Sequence, residues 1–377
     1  MISFKKKYIK FLKPNTDLNI NKKFEKKLIS ELDNYFECKK KKLNLEFGVS
    51  ASRLLYSVLK NNKSIKNEIL VPGIICEKII ESILLSNHQP VFYDLDEKFT
   101  INLKNVKDKI NNRTYATIVP HFFGNYNEKI FDIKKYLENN NIYLIEDYAQ
   151  AFGLEKIIHN HQFCGDFILY SFGYGKTLFC PKGGVLIHKN KNITIDKSES
   201  YDHDNDINKF LNYQKPQLSF ILKRFMVFFF GIRFLNIFLF LFNLINKKKP
   251  SFERKNIISY QAMDIINKNI KNAKTQIEKQ IYNGQEILKN IKENHIIYTN
   301  SVYSKVIISF AEKKKLDIFK KKLYNNGIEF ELSFKINDIA NSELYKNSKK
   351  LTNNCLTIPN RWNLTKEELS KILKTVR

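Results

Sequence analysis

Five cysteines are scattered through the 377 residues, and no two of them stand in a CxxC pair. Neither a zinc site nor a disulfide framework is indicated. The N-terminus, Met1 to Lys7, is basic but has no apolar run behind it, so it is not a signal peptide, and a cytoplasmic location is expected. Acidic residues are scarce, 38 against 64 Lys and Arg, which leaves a formal charge of +26. Such an excess usually marks a nucleic-acid or anionic-membrane surface. Here Lys, Asn and Ile are abundant in every segment, including those without any functional sign, so much of the charge reads as compositional bias. No nucleic-acid partner is expected; contact with an anionic membrane or substrate stays open. Apolar residues are not scarce. At 43% they exclude a disordered chain, and the length suits one large domain plus a smaller one.

Residues 1–44 are lysine-rich with weak helical periodicity and read as a lead-in helix on the surface. Gly48-Val49-Ser50-Ala51 then precedes Leu54, Leu55, Val58 and Leu59, which have helical spacing. Small residues before a helix leave free N–H groups at its positive end, an anion site, although Ser50 also suits an ordinary helix cap. Strand-like and helical stretches alternate from there. Strands are predicted at Ile69–Pro72, Pro90–Asp94, Tyr115–Val119 and Ile142–Ile145, with helices at Cys76–Leu85 and Glu128–Asn139. This alternation predicts an α/β fold, a mostly parallel sheet with helices on both faces. Ligands of such sheets sit at the carboxyl ends of the strands, where Asp147 falls.

The large domain is expected over residues 45–290, with an apolar insert at 218–245 and a long helix over 259–290. The insert carries contiguous phenylalanines, Phe228 to Phe230 among them, bounded by Lys223-Arg224 and Lys247 to Lys249. It is long enough to cross ~30 Å of hydrocarbon once. A single crossing in mid-domain would put the two halves of one sheet on opposite sides of a membrane and is excluded. Two readings remain, a segment lying in the membrane interface or one buried against a second subunit. Residues 291–377 read as a smaller α+β domain. It has strands at Val302–Phe310 and Ile328–Leu332, a helix from about Lys314 to Asn325 stopped by Gly327, and a last helix capped by Thr365 with Glu368.

The chemistry concentrates at Ser171-Phe172-Gly173-Tyr174-Gly175-Lys176, between the apolar runs Phe167–Tyr170 and Val185–Ile187. Any one lysine of this chain is most simply a solvated one. Lys176 differs in its company: flanking glycines, a serine five residues upstream, and Asp147 and Gln150 in the preceding segment. That set suits a lysine serving a phosphorylated aldehyde cofactor as a Schiff base, namely pyridoxal 5'-phosphate.

Four blocks in order resemble those of the DegT/StrS-type pyridoxal-phosphate-dependent sugar aminotransferases. They are Gly48-Val49-Ser50-Ala51, Pro120-His121-Phe122-Phe123-Gly124, Glu146-Asp147-Tyr148-Ala149-Gln150, and the lysine block with Gly183-Gly184 behind it. The resemblance implies the aspartate-aminotransferase-like fold and a homodimer. It also implies conversion of a keto-sugar, nucleotide-linked in much of the family, to an amino sugar with an amino-acid donor such as glutamate, for polysaccharide or glycoconjugate synthesis. By the same resemblance Lys176 is the Schiff-base residue, Asp147 keeps the pyridine nitrogen protonated, and Gln150 faces the phenolic oxygen. Gly48, Val49, Ser50 and Ser171 hold the phosphate. Cys76 stands where the family places a stacking aromatic ring, Val49 lacks the usual threonine hydroxyl, and Asn256 is the candidate for the phosphate-binding asparagine of a partner subunit. Dehydratases of this fold replace the lysine with histidine, so Lys176 argues for transamination over that alternative. A non-catalytic protein at the inner face of the membrane is the remaining rival.

Overall fold

Adjacent apolar residues along the strands bury on opposite faces, as a sheet covered on both sides requires. In the computed structural model Ile69 and Val71 join one core cluster while Leu70, between them, joins the other. Leu144 and Ile145 divide in the same way. The structure describes residues 18–159, 161–173, 175–180, 182–189, 222–232, 234, 237, 258, 260–292, 300–332, 336–337 and 342–377.

The strands are β1 (Asn44–Gly48), β2 (Glu68–Pro72), β3 (Gln89–Tyr93), β4 (Thr114–Pro120), β5 (Tyr143–Asp147), β6 (Phe167–Ser171) and β7 (Gly184–His188). They form one sheet in the order β1-β7-β6-β5-β4-β2-β3. The pairs from β3 to β6 are parallel, and β7 is antiparallel to both β6 and β1. A second sheet of three antiparallel strands orders β8 (Lys305–Ser309), β10 (Cys355–Pro359) and β9 (Glu331–Leu332). It has its own apolar cluster with helices Lys313–Asn325 and Lys366–Val376. The last helix is fixed by a reciprocal cap. The Thr365 hydroxyl accepts from the Glu368 N–H at 3.1 Å and the Glu368 carboxylate from the Thr365 N–H at 3.1 Å.

Four expectations need correction. The lead-in helix, Leu18–Phe36, is not a surface element. Leu28, Leu32 and Phe36 are fully buried in the main core with Ala262, Met263 and Ile266 of helix Tyr260–Lys271, because the lysines occupy only its outer face. The strand β1, hidden directly behind a lysine run, was not expected. The helix expected over 259–290 divides at Asn272, whose side-chain amide donates to the Lys268 carbonyl at 2.9 Å and competes with helical continuation. The strand β9 holds two residues where five were expected.

Of the insert, residues 222–232 are helical. Met226 and Val227 are buried against Tyr324 and Phe330, and the Arg224 guanidinium donates to the Asn325 carbonyl at 3.1 Å. Phe225, Phe228, Phe229 and Phe230 are 55–75% exposed. Among the described residues no helix is long and apolar enough to cross a membrane. Residues 218–221 and 238–245 and Asn256 lie outside the described residues.

If the first helix belongs to the core, Leu32→Ala should lower the unfolding free energy by about 2–5 kcal/mol through the cavity it leaves. Urea unfolding of the purified variant checks this, and a loss below about 0.5 kcal/mol would return the helix to the surface.

Candidate active site

The carboxyl ends of β4, β5 and β6 open on a cavity of about 380 Å³ lined by Ser50, Cys76, His121, Asp147, Gln150, Ser171 and Lys176, among others. Each comes from a chain reversal directly after a strand or before a helix. Asp147 ends β5, and its backbone carbonyl accepts from the His121 N–H at 3.0 Å, which ties the ends of β4 and β5 together. Ser171 ends β6. Ser50 is the N-cap of helix Ala51–Lys60, its hydroxyl accepting from the Arg53 N–H at 3.2 Å. The capping expected for Ser50 is therefore real, and it coexists with a helix N-terminus that faces the cavity.

The approach of β7 to that helix depends on glycine. A Cβ on Gly184 would lie 2.4 Å from the Ala51 nitrogen and 2.6 Å from the Ser50 carbonyl carbon. Gly48 and Gly184 are register partners, and the Gly183 N–H donates to the Val49 carbonyl at 2.9 Å. Gly48 and Val49 thus set the backbone behind Ser50, and neither lines the cavity.

Lys176 follows a turn in which its N–H donates to the Gly173 carbonyl at 3.2 Å, with Gly175 at φ +76°. The residue is partly exposed and lines the cavity. Burial pushes the amine below the ordinary lysine value; Cys76, Asp147 and Glu331 oppose that shift and Lys305 adds to it. Burial likewise raises the Asp147 carboxyl, against the Ala149 N–H at 2.8 Å and the positive charge of Lys176. A cation placed between these walls would keep Asp147 ionised.

Gln150 is oriented by its own carbonyl, which accepts from the Phe123 N–H at 2.8 Å. Its NH₂ group is then the end available to the cavity. Cys76 is the exposed N-cap of helix Glu77–Leu85 and lies on the wall beside Ile75 and Ile79. No aromatic residue of the 73–76 stretch takes part. The structure thus brings together Ser50, Cys76, Asp147, Gln150, Ser171 and Lys176.

His121 was not singled out from sequence, although a histidine next to a strand end was a usable signal. Its Nδ1 accepts from the Asn127 N–H at 3.1 Å, so Nε2 carries the proton and donates to Glu146 at 3.2 Å. The ring stacks on Tyr126, centroids 5.2 Å apart. Burial alone would raise the Glu146 carboxyl, but the hydrogen bonds from His121 and the Gly165 N–H hold it below its usual range.

An amine, a carboxylate, an amide donor, two hydroxyls and a helix N-terminus around one cavity fit a phosphorylated, cationic, ring-shaped cofactor. Among the described residues no cluster suits a metal ion.

The chain is 30% identical over 132 residues to the GDP-perosamine synthase of Vibrio cholerae, a match that spans 35% of each chain. It spans about a third of the curated relatives it matches. The fold is that of Helicobacter pylori PseC, an aminotransferase involved in the biosynthesis of pseudoaminic acid, at TM-score 0.67 and 15% identity over 98% of this chain and 92% of that one. It is equally that of the E. coli GDP-4-keto-6-deoxy-D-mannose-3-dehydratase with bound hydrated PLP, at TM-score 0.66 and 15% identity over 97% and 98%. The model of the DegT/DnrJ/EryC1/StrS aminotransferase family matches residues 14–203, and the chain belongs to that family.

Proposed function

We propose that the chain is a pyridoxal-phosphate-dependent aminotransferase that converts a nucleotide-linked keto-sugar to an amino sugar with an amino-acid donor. The observation that carries this reading is that Lys176 and Asp147 line one cavity, with the amine pushed below the ordinary lysine value. Bound there, pyridoxal phosphate supplies an electron-withdrawing ring that stabilises negative charge on the carbon bearing the amine. Asp147 holds the proton on the ring nitrogen. Lys176 would hold the cofactor through its side-chain amine, and from its place on the cavity wall the same amine could move a proton at the substrate carbon. Its lowered proton affinity suits an amine that must spend part of the cycle neutral. The Gln150 NH₂ would donate to the ring oxygen, while Ser50, Ser171 and the first N–H groups of helix Ala51–Lys60 would hold the phosphate. Cys76 covers the ring face with a small polarizable side chain in place of an aromatic one. Lys176 itself favours transamination over the dehydratase alternative.

The reading includes a cytoplasmic homodimer that attaches to an anionic membrane through the insert. Exposed phenylalanines on residues 222–232 lie beside Lys223 and Arg224, and more cations follow at Arg233 and Lys247 to Lys249. Aromatic faces at the acyl boundary and cations at the headgroups suit one another.

Borohydride treatment of the loaded protein should fix the cofactor to the peptide bearing Lys176, as seen by mass spectrometry. Lys176→Ala should abolish both this label and turnover while the protein still folds; normal turnover in that variant would end the reading. Asp147→Asn should retain cofactor and lose turnover by several orders of magnitude. A loss under about tenfold, ~1.4 kcal/mol, would place support for the ring proton elsewhere.

Binding to anionic vesicles should weaken with salt without vanishing. Each cation contributes roughly ~1 kcal/mol that salt screens, and phenylalanine burial is not screened. Cosedimentation at several salt concentrations measures this. Indifference to vesicles at low salt, or loss of the dimer on deleting residues 218–245, would assign the segment to a subunit interface.

A further inference from the structure

The Lys176 loop has a second neighbour that the reading above leaves without a role. The chain entering β8 is fastened to the cavity wall. The Val302 N–H donates to the Gly124 carbonyl at 2.9 Å, and the Ser301 hydroxyl to Asn125 at 2.5 Å. A Cβ on Gly124 would lie 2.9 Å from the Ser304 nitrogen. Gln280 then bridges the two sides, its NH₂ donating to the Thr177 hydroxyl at 3.2 Å and to the Val302 carbonyl at 2.8 Å. Lys305, the first residue of β8, is thereby held close to the loop that carries Lys176. It is ion-paired with Glu331 of β9.

The two partners differ in burial. The Lys305 side chain is 15% exposed and that of Glu331 is 46% exposed. A carboxylate with that much exposure can return to water at small cost, whereas the buried ammonium needs an anionic partner at all times. The pair also reaches over the central strand of its sheet. Lys305 is in register with Pro359 of β10, and Glu331 with Thr357. Glu331 and Lys305 bias the Lys176 amine in opposite senses, so both stand within electrostatic range of the reacting group. The amino donor and the sugar nucleotide are both anionic, through a carboxylate and a diphosphate.

We propose that Lys305 is an oxyanion receptor beside the loop that carries Lys176, and that Glu331 occupies it until an anionic group of the substrate takes its place. The proposal rests on the aminotransferase reading for the identity of that group. Its shared chemistry is a carboxylate or phosphate oxygen accepting from the Lys305 ammonium.

The test follows the two half-reactions separately by the absorbance of the bound cofactor, with glutamate as donor and a nucleotide-linked keto-sugar as acceptor. Lys305→Gln should raise the half-saturating concentration of one of them by tenfold or more. An effect on glutamate alone assigns the carboxylate, and an effect on the keto-sugar alone assigns the diphosphate. Lys305→Arg should restore most of the loss, and Glu331→Gln should tighten the same substrate by removing the internal competitor. Inorganic pyrophosphate and the amine-free dicarboxylate maleate, titrated calorimetrically into the loaded wild type, give a readout independent of turnover. Whichever one mimics the assigned group should bind wild type and lose affinity in Lys305→Gln. If Lys305→Gln leaves both half-reactions and both titrations unchanged and lowers only the unfolding midpoint, the pair is a clamp on the small sheet and the proposal fails. Should borohydride label no lysine in wild type, the aminotransferase reading itself fails, and loss of pyrophosphate or maleate binding in Lys305→Gln still decides for or against an anion receptor.

Discussion

Taking an amine and a carboxylate out of water together is the constraint that the rest of the molecule serves. Each loses hydration that a protein interior replaces only with fixed dipoles and opposite charge. Here the two are delivered by neighbouring parallel strands, β5 ending in Asp147 and β6 leading into the Lys176 loop. Neither charge is fully compensated by the other, since burial still dominates the shift at both. The site is thus built for a third, charged occupant. A sheet buried on both faces supplies the rigidity that such a placement needs, because its strand ends cannot drift without disturbing two cores.

Around the pair, orientation is set mostly by backbone groups. The Ala149 N–H fixes one oxygen of Asp147, the Phe123 N–H turns Gln150, and the Asn127 N–H decides which nitrogen of His121 carries the proton. Backbone donors of this kind hold a polar side chain in one tautomer or rotamer without adding another mobile group. Phe123 sits at φ +59° to present its N–H in that direction, a conformation that costs free energy and is tolerated where the surroundings enforce it.

Much of this was legible in the sequence because it is local. Continuous apolar runs such as Ile69–Pro72 announce strands buried on both faces, and Thr365 with Glu368 announces a helix start in four residues. The cluster of Lys176, Asp147, Gln150, Ser50 and Ser171 followed from short blocks in a fixed order. What was hidden depends on contacts between distant segments. Leu28, Leu32 and Phe36 look sparse among lysines until helix Tyr260–Lys271 is packed beside them. Nothing near His121 in the chain shows that Glu146, 25 positions on, accepts its hydrogen bond. The pair Lys305–Glu331 joins two strands that touch only through a third. The division at Asn272 was in principle readable, since a short amide side chain can bond the preceding turn, but periodicity runs straight through it.

The insert helix does not stand apart from the catalytic half of the molecule. Met226 and Val227 pack with Tyr324 and Phe330, and the residue after Phe330 is Glu331. One peptide unit therefore links the packing of this helix to the ion pair of Glu331 with Lys305. A force on the exposed phenylalanines would pass through this contact to the strand that holds Glu331.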